Sequence, residues 1–330
     1  MKNSKVQFIR GMAITAVVMI HTTPPGYWQV FCKPFINFAV AAFLFLSGYL
    51  TKLDQDDWKG FYRRRIGRVL LPYIVWSVIY SIPDICSKGL TVLFKNLLTA
   101  NSCSILYYVF VYVQFILLTP LMGRLARSKY RFIGWFIAPV SVMAFKYYSL
   151  FTGFCPGKHM SLIWSDLCLG WFTFYYLGLV LGNRIIERSY PMSKFISWYA
   201  VSILLQMFEG YVWSSYDMVG CGSQLKLSSL LSSSICMLII HTYLEDKSRP
   251  CRCRFMCKIG DHSFGIYLSH ILILKGLAFL PFYSFLPYPL NSLVLLLVSL
   301  LLSDLHCRLT SSPTATSSTR VLPKSGTRFS

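Results

Sequence analysis

Long apolar runs, separated by short polar or basic segments, recur along the whole chain. A membrane-spanning helix needs about 20 predominantly apolar residues. Because a backbone in lipid must satisfy its own hydrogen bonds, each such run predicts an α-helix. The pattern therefore predicts an all-α polytopic membrane protein with roughly ten transmembrane helices, near residues 7–24, 34–51, 69–86, 105–122, 132–151, 164–182, 195–213, 227–244, 263–281 and 289–305.

The polar segments between the runs are too short to form a separate soluble domain. We therefore expect residues 1–305 to form one integral membrane domain. Residues 306–330 are polar and rich in Ser and Thr, without hydrophobic periodicity, which predicts a disordered C-terminal tail. An abnormal terminus, such as one produced by a change of reading frame, is the alternative interpretation.

Composition and charge support the membrane assignment. Of the 330 residues, 55% are hydrophobic and 13% are charged, whereas about a quarter of a soluble domain is charged. The net charge of +20 would suit nucleic-acid binding, but the basic residues concentrate in every second connecting segment. This alternation is the positive-inside pattern. We therefore expect a multi-pass protein of the inner (cytoplasmic) membrane with both termini in the cytoplasm, with membrane lipids and not nucleic acid as partners.

The eleven cysteines are scattered, and several lie within apolar runs, which is typical of small buried residues and not of a disulfide framework. Cys251, Cys253 and Cys257 cluster between arginines. Their spacing is not a standard zinc pattern, so free thiols are favoured over a metal site. We expect no metal.

Two ionisable residues lie in the first apolar run. Arg10 and His21 are eleven residues apart, which is about three helical turns, so they share one helix face and lie roughly 16 Å apart along the axis. Ionisable groups inside a span are functional candidates by default. The alternative is that Arg10 extends to the lipid headgroups and His21 is an interfacial residue.

Further arginines follow the second run, in the segment FYRRRIGRVLLPY. Arg64 and Arg68 share a helix face at the i, i+4 spacing, and Arg65 lies beside them. Such a cluster anchors many proteins to anionic headgroups. Because arginine also binds phosphate in a bidentate manner, the alternative is a clamp for a cytoplasmic donor such as coenzyme A, whose long arm would reach from Arg10 towards His21.

Few other polar residues fall inside the predicted spans. Asp166 and Glu209 lie near the outer helix ends, on the same side as His21, and Glu209 is the best carboxylate partner for a histidine base. His270 lies mid-span, where a buried, hydrogen-bonded histidine is the alternative to a functional one. At the end of the second span, Ser47, Gly48 and Tyr49 permit close helix approach or backbone access to a ligand.

Six segments, taken together and in order, resemble the membrane-bound acyltransferase-3 family. They cover nearly the whole chain, although Tyr107 stands where a tryptophan is often found, and the resemblance fades after about residue 300. The segments are RGMAITAVVMIH, FLFLSGY, FYRRRIGRVLLPY, LYYVFVYVQFILLTPLM, WFTFYYLGLVLGN and IGDHSFGIYLSH.

The resemblance implies an O-acyltransferase, most often an O-acetyltransferase, that uses cytoplasmic acetyl-CoA or another acyl-CoA. The acceptor would be a hydroxyl of a cell-envelope polysaccharide or lipid-linked sugar, and polysaccharide-assembly proteins are candidate partners. The resemblance makes His21 catalytic, as a general base or a transient acyl carrier. The chemistry of the residues, and not the resemblance, makes Glu209 its expected catalytic partner. We expect the remaining candidates to bind the donor (Arg10, Arg64, Arg65, Arg68) or the acceptor (Ser47, Tyr49, Asp166, His270).

Two other functions are compatible with the same residues. A transporter or flippase of a lipid-linked sugar would use His21 and Glu209 as a proton relay. The chain shows no clear internal repeat, which counts against that function. A non-enzymatic export partner of a surface polysaccharide is the other alternative.

Overall fold

Helices are the only regular secondary structure in the part of the chain that the structure describes. The computed structural model describes residues 3–153, 167–186, 191–248, 251 and 253–311. Its α-helices are α1 (Ser4–Thr22), α2 (Trp28–Cys32), α3 (Phe38–Tyr49), α4 (Trp58–Lys88), α5 (Thr91–Thr99), α6 (Tyr107–Arg127), α7 (Ile133–Val142), α8 (Tyr148–Thr152), α9 (Phe172–Gly182), α10 (Met192–Ser214), α11 (Leu227–Glu245), α12 (Arg254–Asp261), α13 (Ser263–Leu277), α14 (Pro281–Ser284) and α15 (Leu290–Ser311).

Shorter helical turns join several of these helices. A π-helical turn, Met143–Tyr147, connects α7 to α8 and carries Lys146, the charged residue inside the predicted fifth span. The 3₁₀ turns are Lys33–Phe35, Ser104–Leu106, Cys168–Trp171 and Gly220–Gly222.

Six helical segments in the described ranges are long and apolar enough to cross a membrane. The all-α membrane architecture is thus confirmed, whereas the count of ten spans and the orientation of the termini stay predictions. Two shorter apolar segments, Cys168–Gly182 and Ser263–Leu277, coincide with predicted spans. The six segments are Trp28–Tyr49, Trp58–Lys88, Ser104–Arg127, Met192–Ser214, Gly220–Glu245 and Leu290–Arg308.

Large apolar side chains cover the outer faces of α4 and α10. In each of these helices, only 22% of the most apolar stretch is buried within the protein. An apolar face this extensive would be unstable in water, but it suits the acyl chains of a bilayer. The exposed apolar faces of these two helices are therefore suited to contact with lipid.

Helices α3 and α9 form the centre of the larger core cluster. Their backbones meet at glycines: a Cβ on Gly48 would lie 2.2 Å from the Tyr175 carbonyl oxygen, and one on Gly178 would lie 2.2 Å from that of Phe45. Small residues allow such approach between membrane helices. The Ser-Gly pair that ends the second predicted span therefore does bring two helices close together.

Helix α1 packs against α12 by the same means. A Cβ on Gly11 would lie 2.2 Å from the Met256 carbonyl oxygen, and one on Gly260 would lie 1.9 Å from that of Gln7. Helix α1 also contacts α3, α13 and α15. The Asn3 side chain caps the start of α1 by accepting hydrogen bonds from the backbone N–H groups of Lys5 and Val6. Helix α1 is thus enclosed on several sides, which fixes the direction of its functional face.

Replacing Gly48 by alanine is expected to lower the free energy of unfolding by about 1–3 kcal/mol, the usual cost of overpacking. The matched control is Gly276→Ala in α13, where a Cβ would meet nothing within 4 Å. Thermal unfolding of both variants in detergent checks this. Equal melting temperatures for the two variants would contradict the close contact between α3 and α9.

Helix α15 continues to Ser311, six residues beyond the predicted end of the membrane domain at 305. Polar residues of its last turns hold it to α12, where Asp304 forms an ion pair with Lys258 at 3.2 Å. The helix thus extends through the first six residues of the predicted tail. Residues 312–330 lie outside the described part of the chain.

Candidate active site

The site is organised along α1. Arg10 and His21 both lie in this one uninterrupted helix, Ser4–Thr22, so the shared face predicted from their spacing is retained. Arg10 is half-buried, whereas His21 lies in the last turn with an exposed side chain. One helix therefore presents a guanidinium at one end and an accessible imidazole at the other.

A cavity of about 370 Å³ opens beside the Arg10 end of α1. A volume of this size lies in the range of small-molecule sites. Three arginines from two helices meet there, with hydroxyl and phenol groups from three more. The lining consists of Arg10, Val17, Val40, Phe43, Ser47, Leu50, Arg65, Arg68, Val69, Tyr108, Tyr112, Ser263, Phe264 and Tyr267.

Arg65 is held in place by its neighbours. Its Nη1 donates a hydrogen bond to the Ser47 hydroxyl at 3.3 Å, and that hydroxyl donates to the Tyr112 hydroxyl at 3.2 Å. The guanidinium also lies over the Phe61 ring, 5.2 Å from its centroid. A chain of contacts through α3, α4 and α6 thus orients Arg65 before any ligand arrives.

The cavity is electrostatically suited to an anion. Its described lining contains three guanidinium groups and no carboxylate, and no described ion pair involves Arg10, Arg65 or Arg68. Arginine stays charged and its guanidinium matches phosphate in a bidentate manner, so the chemistry of these three side chains suits a phosphate group.

Arg64, the fourth predicted donor ligand, does not line this cavity. Its exposed side chain turns towards Asp57, with 3.5 Å between Nη1 and the carboxylate. The i, i+4 spacing favoured Arg64 and Arg68 as a pair, whereas the structure places Arg65 and Arg68, at i, i+3, on the cavity wall. Both spacings share a helix face, so only the packing of α4 distinguishes them.

The cavity wall leads towards two histidines. Val17 on α1 and Tyr267 on α13 both line the cavity, and the next turn of each helix carries His21 and His270. The two imidazole rings lie with centroids 5.1 Å apart and planes tilted by 53°. His270 is completely buried. The structure thus brings the predicted catalytic histidine together with a residue predicted to bind the acceptor.

Glu209, the predicted carboxylate partner of His21, lies elsewhere. Its Oε2 accepts hydrogen bonds from the Ser228 backbone N–H at 3.0 Å and from the Ser228 hydroxyl. Glu209 also interacts electrostatically with the buried Lys226, whose ammonium donates to the Cys221 carbonyl oxygen at 2.5 Å. Among the described residues, no ion pair joins Glu209 to His21. The observed role of Glu209 is therefore to join α10 to the start of α11.

The remaining acceptor candidates divide in the same way. Ser47 lines the arginine cavity, whereas the Tyr49 hydroxyl donates to Glu245 and its ring meets His241 edge-on at 5.9 Å. Tyr49 thus belongs to a contact between α3 and α11. Asp166 lies outside the described residues.

No group of three His, Cys, Asp or Glu side chains that could hold a metal is found in the described ranges. Two of the clustered thiols, Cys251 and Cys257, have sulfur atoms 3.4 Å apart. Burial raises the pKa of the Cys257 thiol to about 11, so this thiol remains protonated at neutral pH.

The sequence pattern did not single out several tyrosines that line the cavity. Tyr108 and Tyr112, one helical turn apart in α6, stack with ring centroids 6.1 Å apart, and Tyr267 meets Tyr108 edge-on at 5.5 Å. Their i, i+4 spacing was visible in the sequence, but in a chain with 21 tyrosines it does not distinguish them from core residues.

These features agree with a comparison against known families. A family model described as an acyltransferase domain matches residues 3–308. The chain belongs to the acyltransferase-3 family. No curated protein and no solved structure matches it. This acyltransferase-3 protein therefore carries its arginine cavity and its histidine pair within the matched region.

Proposed function

We propose that this acyltransferase-3 protein is an O-acyltransferase that moves an acyl group from cytoplasmic acyl-CoA to a carbohydrate hydroxyl of the cell envelope. The expected acyl group is acetyl. One observation carries the proposal. An arginine cavity with no carboxylate in its described lining runs along one helix, which carries Arg10 near one end and the exposed His21 at the other. About 16 Å of helix separates them, a span suited to a donor with phosphates at one end and a thioester at the other.

Arg10, Arg65 and Arg68 would hold the phosphates of the donor, and the cavity wall along α1 and α13 would guide its arm towards His21. The residues present suit such a donor, because guanidinium groups match phosphate in charge and geometry. His21 would act as the general base, and its exposure leaves it accessible to an acceptor.

The reaction is an ester exchange. The acceptor hydroxyl oxygen bonds to the thioester carbonyl carbon while a nitrogen of His21 takes the hydroxyl proton. The carbon–sulfur bond then breaks, and the leaving thiolate receives the proton from the imidazolium. The products are the O-acyl carbohydrate and free coenzyme A, and no external oxidant or reductant is needed.

Inverted membrane vesicles containing the protein and the host envelope glycan provide the test. Acetyl-CoA labelled with ¹⁴C in its acetyl group is supplied to the cytoplasmic face. We expect alkali-labile ¹⁴C in the glycan fraction and one free thiol released for each ester formed. Vesicles without the protein are the control. Movement of glycan across the membrane, with neither ester nor thiol formed, would instead indicate a flippase.

A further inference from the structure

His270 lies in the middle of α13 with one nitrogen fully engaged. Its Nδ1 is 2.8 Å from the Tyr267 carbonyl oxygen and 3.1 Å from that of Ile266. Carbonyl oxygens only accept hydrogen bonds, so Nδ1 carries the proton. The other nitrogen, Nε2, is therefore a bare acceptor when the ring is neutral.

This Nε2 atom is buried and has no hydrogen-bond partner in the described part of the chain. A buried polar atom without a partner is costly, and such atoms in native proteins have a functional or structural reason. The imidazole ring of His21 lies beside this buried ring, with 5.1 Å between the two centroids. The His21 side chain is exposed, so it has room to turn towards Nε2, and a hydrogen bond between the two rings needs about 3 Å between their nitrogens.

The helical turn that carries His270 is held from outside α13. The Tyr80 hydroxyl, from α4, donates to the Leu268 carbonyl oxygen at 2.8 Å and accepts from the Leu272 N–H at 3.2 Å. These two backbone groups are the ends of one i, i+4 step, with His270 between them. Tyr80 is buried, so its hydroxyl fixes the position of this turn.

We propose that His270 is a positioning residue for His21 and that Tyr80 secures it. The Nε2 of His270 accepts one N–H of His21 and so fixes the tautomer of that ring. The second nitrogen of His21 is then unprotonated and directed away from His270, ready to take the proton of the acceptor hydroxyl. This role rests on the proposed acyl transfer, in which a histidine neighbour replaces the carboxylate that commonly orients a catalytic histidine.

Three substitutions of His270 test the role. His270→Gln returns a hydrogen-bond acceptor near the position of Nε2, His270→Asn places its amide near Nδ1, and His270→Leu removes both. We expect His270→Gln to retain kcat within about tenfold of wild type, and the other two to lose roughly 10- to 100-fold, the value of one strong hydrogen bond. The KM for acetyl-CoA should be unchanged in all three, because the arginine cavity is intact.

A measurement independent of activity accompanies the kinetics. In protein with ¹⁵N-labelled histidine, the His21 ring of the wild type is expected to show one protonated and one bare nitrogen. In His270→Leu the two ¹⁵N shifts should move towards each other as the tautomers exchange. This readout holds even if the wild type does not use acetyl-CoA, so failure of the proposed function and failure of this role are distinguishable.

Tyr80→Phe should lower kcat severalfold without changing KM, whereas the matched control Tyr73→Phe should leave kcat unchanged. Tyr73 also lies in α4, and its hydroxyl donates to the backbone carbonyl of Leu97 at 2.6 Å. This hydrogen bond joins α4 to α5 and not to α13.

Wild-type kcat and unchanged ¹⁵N shifts in His270→Leu would overturn the role of His270 as a positioning residue. Loss of activity in His270→Gln together with retained activity in His21→Gln would also overturn it, because His270 would then be the base.

Discussion

Replacing His21 by alanine is expected to slow acyl transfer severely while leaving coenzyme A binding intact. A positioned general base contributes about 10²- to 10⁴-fold to a rate, so kcat should fall by that factor. Binding should persist because Arg10 lies roughly 16 Å from His21 along α1 and His21 does not line the arginine cavity. The measurement is ¹⁴C transfer from acetyl-CoA at matched protein amounts, with the dissociation constant of coenzyme A determined on the same preparations.

The control for this variant is His241→Ala. His241 contacts the Tyr49 ring at 5.9 Å and does not line the arginine cavity, so its loss should leave kcat near wild type. Transfer at the wild-type rate by His21→Ala would refute the catalytic role. Protein-bound ¹⁴C that forms without acceptor in the wild type but not in His21→Ala would identify His21 as an acyl carrier and exclude a purely general-base mechanism.

Replacing Arg65 by alanine should weaken coenzyme A binding by roughly 10- to 100-fold, because a hydrogen bond to a charged group contributes about 1.5–3 kcal/mol. The affinity of Arg65→Lys for coenzyme A should lie between those of the wild type and Arg65→Ala, since lysine keeps the charge but loses the planar, bidentate geometry. The preformed contacts of Arg65 with Ser47 and Phe61 strengthen the expectation, because the guanidinium needs little ordering on binding.

Arg64→Ala is the matched control, one residue away on the same helix. Its ion pair with Asp57 is largely exposed, and such pairs contribute little to stability. The dissociation constant of coenzyme A should therefore change less than about twofold. Equal losses of affinity in Arg64→Ala and Arg65→Ala would show that the segment acts through its general charge, as a headgroup anchor does, and would contradict the clamp.

The partner of His21 shows where sequence reasoning stops. A carboxylate was the natural expectation, and Glu209 lies at a matching depth in the predicted topology. In the structure, the Glu209 carboxylate instead accepts a hydrogen bond from Ser228, and the buried ring of His270 lies beside His21. Which helix packs against α1 depends on contacts among distant segments, and the hydrophobic periodicity of α10 or α13 carries no information about it.

The arginine-rich segment is a second place where the sequence does not decide which residue belongs to the site. Its charge and its place before a span are visible in the sequence, and they point to an anionic partner. Spacing alone makes Arg64 as good a candidate as Arg65, because both share a helix face with Arg68. Only the rotation of α4 against α3, where Arg65 reaches Ser47, decides which guanidinium enters the cavity.

The sequence by itself determined the membrane class, the helical architecture and the joint placement of Arg10 and His21. These follow from local physics, because apolar length sets a span and the helical repeat sets which residues share a face. Tertiary structure decided the composition of the cavity, the separation of Glu209 from His21 and the pairing of His21 with His270. Glycine contacts such as Gly11 with Met256 set how closely the helices pack, and that packing brings distant residues together.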